Sequence, residues 1–139
     1  MPAATIDAEL AELQETFDLL GDWEERYRHL IDLGRTLTPL TEAERSEANK
    51  VRGCASQVWL VTEREPDGRL TFRGDSDAHI VSGLVALVLQ LYSGRTPAEI
   101  IAFDAQAGLA SLGLEQALST QRSNGLASMV KRIRSDAAA

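Results

Sequence analysis

The sequence has one cysteine, two histidines, four prolines and seven aromatic residues in 139 positions. A single cysteine cannot close an intrachain disulfide, so the chain reads as one of the reducing cytoplasm with a free thiol. One cysteine and two scattered histidines also lack the ligand spacing of a zinc or iron–sulfur site. Uninterrupted apolar runs are missing too. The longest apolar segment, residues 80–92, is broken by Ser82, Gly83 and Gln90 and is too short to span a bilayer, so no membrane span is expected. Positive charge is in deficit: a formal net charge of −7 repels phosphate backbones, and no basic patch interleaved with aromatics offsets it, which argues against nucleic acid. The start, "MPAATIDAELAELQ", has neither the basic-then-apolar order of a secretory signal nor the composition of a transit peptide.

What is present suffices for a core without staples. A hydrophobic fraction of 44% and a charged fraction of 25% are those of an ordinary globular domain, and 139 residues fit one domain spanning 1–139. No repeat or linker divides it, and only the alanine-rich tail is expected to fray.

The periodicities predict a mixed fold. Ile6, Leu10, Leu13, Phe17 and Leu20 recur at four- and three-residue steps, the stripe of an amphipathic helix. Gly21 ends it, and Asp22 with Glu25 can cap a second helix that turns Trp23, Tyr27, Leu30 and Ile31 inward. Thr41 with Glu44 is another capping signature, predicting one short surface helix before Asn49. The period then becomes two. Val58, Leu60 and Thr62 alternate with Trp59, Val61 and Glu63, the turn Pro66-Asp67-Gly68 follows, and Leu70 and Phe72 alternate with Arg69, Thr71 and Arg73, which makes a β-hairpin.

"GDSDAHIVSGLVALVLQLYSG" opens with residues that favour helix caps and is then apolar nearly all round, as a helix buried against a sheet must be. Thr96, Pro97 and Glu99 start a helix running through Ile100 and Phe103, and a further short helix is expected over 105–112. A last helix places Leu126, Met129, Val130 and Ile133 on one face, with basic residues toward its C-terminal end.

Cys54 stands apart from these patterns. In "NKVRGCASQVWLV" it precedes the strand instead of lying within it, after Lys50, Arg52 and the flexible Gly53. Positive charge and backbone donors would favour its thiolate, the reactive form, whereas free cysteine is also among the most buried residue types, so a packing role stays open. A thiol hydrolase would need a histidine base. His29 lies off its helix stripe and reads as a surface residue, and His79 falls in the first turn of the buried helix, where simple packing also accounts for it. A sulfur relay needs only one accessible thiol. A second one nearby would attack a loaded persulfide and expel its cargo as sulfide, so the lone cysteine suits that chemistry.

"GCASQVWL", "GDSDAHIVSGLVAL", "YSGRTPAEI" and "LSTQRSNGLASM", joined by "WEERYRHLIDLGRTL", run in an order that resembles the SufE-type sulfur acceptors of iron–sulfur cluster assembly, covering nearly all of residues 23–133. The resemblance implies an α/β fold of helices around a small antiparallel sheet, like that of IscU-type scaffolds. It implies that Cys54 accepts the persulfide of a SufS/CsdA-type cysteine desulfurase, stimulates it, and passes the sulfur to a downstream iron–sulfur scaffold. The pyridoxal phosphate (PLP) is expected in the desulfurase, with no cofactor and no metal in this chain. The family's acidic residue falls on Asp77 and its arginine on Arg122. By the resemblance, Asp77 holds the thiol loop or tunes docking, and Arg122 favours the sulfur anion or pairs with the desulfurase. A helix cap and a surface ion-pair partner are the plainer readings of the two. Gln57 reads as a strand-edge residue, and Val58, Trp59 and Leu60 as core and sheet. The rival functions are an adaptor that activates a desulfurase by docking alone, a Cys54–His79 hydrolase, and a redox sensor, which the lack of a resolving cysteine disfavours.

Overall fold

The computed structural model describes residues 5–53, 56–114 and 118–139. Helix α1 (Ile6–Leu19) is capped by Thr5, whose hydroxyl accepts from Ala8 N–H. It buries Ile6, Leu13 and Phe17, as its stripe predicts. Helix α2 (Trp23–Arg35) starts at Asp22, which accepts from Glu25 N–H at 2.9 Å, while Glu25 reaches back to Gly21 N–H at 3.1 Å.

The inward face of α2 differs from the expected one. Leu30 is buried, but Tyr27 is exposed, and the positions turned inward include Arg26 and His29. Arg26 donates to the carbonyls of Phe17, Leu20 and Gly113, and His29 meets Phe17 edge-on with 5.3 Å between ring centroids. His29 is therefore half-buried packing, not a solvated residue. The expected short helix at Thr41 is a run of turns. The reciprocal bonds between Thr41 and Glu44 form, but no apolar stripe follows to carry the helix on. Glu44 instead pairs with Arg73, whose guanidinium lowers the Glu44 pKa to about 2.

Strands β1 (Val58–Arg64) and β2 (Leu70–Ser76) pair antiparallel from Val58 opposite Ser76 to Arg64 opposite Leu70. Gly68, with φ +88°, closes the turn by donating to Glu65 O. On the outer edge of β1, Val51 N–H bonds Val58 O and Leu60 N–H bonds Asn49 O, both at 2.8 Å. The mixed fold of helices around a small antiparallel sheet is thus the one expected.

Helix α3 (His79–Tyr92) buries ten of its 14 residues against β2, α2, α1 and α6. The backbones of α2 and α3 cross so closely that a Cβ on Gly83 would lie 2.1 Å from Leu30 O. Helix α4 (Pro97–Ala102) has the predicted capping box at Thr96 and Glu99, and α5 (Ala105–Ala110) follows from an Asp104 cap, ending shortly before the expected boundary. Helix α6 (Thr120–Ala138) runs through most of the alanine tail. Ala137 is buried, and Thr62 Oγ1 donates to Asp136 at 2.7 Å, stitching that end to β1. Among the described residues no helix is long and apolar enough to cross a membrane.

Candidate functional site

Cys54 lies outside the described residues; the chain on both sides of it is described. The rung between Val51 and Val58 closes the base of the segment 52–57. On the near side, Arg52 pairs with Glu47 at 2.9 Å on the surface, and Gly53 holds φ +88° against α6, where a Cβ would lie 2.6 Å from Ser128 Oγ. Only glycine meets both conditions without strain. On the far side, Gln57 is gripped through its backbone. Its N–H donates to Asp77 Oδ1 at 3.0 Å, and its carbonyl accepts from Ser76 Oγ at 2.8 Å and from Asp77 N–H at 3.3 Å.

Asp77 therefore holds the strand entry and does not cap α3. The N-cap position of α3 is Ala78, without a side-chain bond, and Ser76 Oγ accepts from Ala78 N–H in its place. Arg122 is half-buried in the first turn of α6, where Ser119 Oγ caps its N–H at 3.2 Å. It lines a cleft of about 260 Å³ together with Ser56, Val58, Val81, Leu84 and Met129. Its lining joins these apolar side chains to Arg122 and to the N-terminal end of a 19-residue helix with no acidic residue in its first turn. Both contribute positive potential there. Ser56 and Gln57, which follow Cys54 in the chain, thus meet Arg122 at the cleft and Asp77 in hydrogen bonds. His79 is exposed and does not line this cleft.

The family model described as "SufE: Fe-S metabolism associated domain" matches residues 11–137. The chain belongs to the SufE family. An uncharacterized SufE-like protein of Rhizobium etli is 54% identical over 133 residues, covering 94% of this chain and 90% of its own length. Another, from Rhizobium meliloti, is 50% identical over 131 residues, covering 92% and 94%. The solution structure of a hypothetical protein from Thermus thermophilus superposes with a TM-score of 0.75 over 93% of each chain at 19% identity, a likeness of fold. A resident iron–sulfur cluster does not fit the donors of this SufE chain, since such clusters are held by several cysteine thiolates and the sequence has one cysteine. Sequence reasoning passed over the contacts that α6 makes with this segment, through Ser128 and through Arg132, which donates to Ala48 O at 3.1 Å. A signal existed in the α6 sequence: Arg122, Gly125, Met129, Arg132 and Asp136 recur at three- and four-residue steps.

Proposed function

We propose that this protein is a cytoplasmic sulfur acceptor and carrier, loaded on Cys54 by a PLP-dependent cysteine desulfurase. In the transfer, the Cys54 thiolate attacks the outer sulfur of the desulfurase persulfide. One S–S bond breaks as another forms, the desulfurase thiolate leaves, and no external oxidant or reductant is needed. Removing the persulfide frees the desulfurase for its next turnover, so loading and stimulation are two faces of one step. The sulfur then passes to a scaffold for iron–sulfur cluster assembly.

The observation that carries this reading is the lone thiol of a SufE-family chain, in a segment tied at one end to α6 and at the other to Asp77. Arg122 and the α6 N-terminus in the lining of the cleft reached by Ser56 support it, because positive potential favours an anionic sulfur over a neutral one. The test is intact mass after mixing the protein with a cysteine desulfurase and free cysteine without reductant. Wild type is expected to gain one sulfur atom that reductant removes, and Cys54→Ser is expected to gain none and to lose stimulation. Stimulation that survives in Cys54→Ser, without loading of wild type, would replace the carrier by an adaptor that acts through docking.

A further inference from the structure

Helix α6 presents a charged pair on the stripe it turns toward the rest of the protein. Gly125 and Met129 on that stripe are buried, and Arg132 and Asp136, further along it, keep only 34% and 26% of their side-chain surface exposed. The pair is engaged on both sides. Thr62 Oγ1 of β1 donates to Asp136 Oδ2 at 2.7 Å, Arg132 Nε stands 3.5 Å from Asp136 Oδ1, and Arg132 Nη2 donates to Ala48 O at 3.1 Å. Contacts thus run from the strand through the helix to the stem that leads to Cys54. One turn earlier on α6, Ser128 abuts Gly53. The guanidinium suits this place because its rigid fork points donors in two directions at once, toward a carboxylate and toward a carbonyl, which an ammonium on a flexible stem does less well.

We infer that Arg132 is a positioning residue for the thiol loop: oriented by Asp136 and Thr62, it holds the 48–53 stem on the helix whose first turn carries Arg122. A half-exposed ion pair of this kind adds little to stability, so its effect falls on where the stem sits. A small displacement of a reacting group is enough to slow a transfer by an order of magnitude or more. For sulfur transfer the inference rests on the carrier reading; for the geometry of the loop it stands without it.

The experiment compares Arg132→Ala and Arg132→Lys with wild type in the full chain by two readouts. The first is the rate of Cys54 alkylation by iodoacetamide, which needs no desulfurase and reports on one thiol only. The second is single-turnover persulfide transfer as a function of desulfurase concentration. For Arg132→Ala, alkylation is expected to rise about threefold or more as the released stem samples open positions. The limiting transfer rate is expected to fall about tenfold with the half-saturating concentration unchanged. Arg132→Lys should lie between alanine and wild type. A folded Arg132→Ala protein with wild-type alkylation and transfer overturns the inference, even if its Tm is lower. Should that variant not fold, Arg132→Lys decides, and wild-type behaviour in both readouts again overturns it. If wild type accepts no sulfur from a desulfurase, the carrier reading falls while the alkylation rates still decide the role of Arg132.

Discussion

Replacing Gly83 by alanine tests the packing on which the fold rests. The added Cβ would lie 2.1 Å from Leu30 O and 2.6 Å from Leu30 C, both backbone atoms of α2 that no rotamer change can move. An ordinary carbon–oxygen contact is roughly 3.3–3.6 Å, so α2 must retreat from α3 by ~1 Å. That retreat reaches Leu30, which is wholly buried, and Gly34, whose own Cβ position is 2.8 Å from Gly83 N. Overpacking costs about 1–3 kcal/mol, with rigid backbone obstacles at the upper end, while alanine returns about 1 kcal/mol of helix propensity. The net loss is about 2 kcal/mol or more, a fall in Tm of about 6 °C or more for a chain of this size. Thermal unfolding followed by circular dichroism measures it. The control is Gly21→Ala, where a Cβ would meet nothing within 4 Å; it should hold or slightly raise the Tm. Gly83→Ala melting within about 1 °C of wild type would refute the close crossing of α2 and α3.

Two further outcomes follow from the polar contacts. Arg73 holds the Glu44 pKa at about 2, below its ordinary 4.5, so the unfolded chain takes up that proton first. The contribution is therefore present above about 4.5 and is lost as pH falls toward about 2; Glu44→Gln should show a shallower fall of Tm across that window. Asp77→Ala should speed amide hydrogen exchange at Gln57 about fivefold, as one exposed hydrogen bond to a carboxylate is lost, and Asp77→Asn, which keeps an acceptor oxygen, should leave it near wild type.

The elements that could be read from the sequence are those whose signals are local. The Asp22–Glu25 and Thr96–Glu99 caps, the α1 stripe and the Pro66-Asp67-Gly68 turn each lie within a few residues, and each forms as spaced. The misreadings arose where a polar residue turns inward or a distant partner intervenes. Arg26 looks like surface to any hydropathy count, yet its guanidinium bonds three carbonyls, one of them 87 residues away. Glu44 carries a helix-start pattern but is drawn to Arg73 on β2. At the site, Cys54 stood out because it was alone and outside the apolar period, and the bond from Gln57 to Asp77 spans 20 residues that only the hairpin brings together. Arg132 was hidden by the habit of assigning charged helix positions to water.

The bond from Arg132 to Ala48 also spans 84 residues, and that separation matters while the chain is being synthesised. The segment that holds Cys54 leaves the ribosome well before Arg132, because α6 follows it in the chain. The local rung between Val51 and Val58 can form early, but the stem has only water at Ala48 O until residue 132 has emerged. A nascent chain, or one truncated before residue 132, thus lacks the bond at Ala48 O that lies on the stem ahead of Cys54. Only once α6 has docked is that carbonyl bonded by a guanidinium.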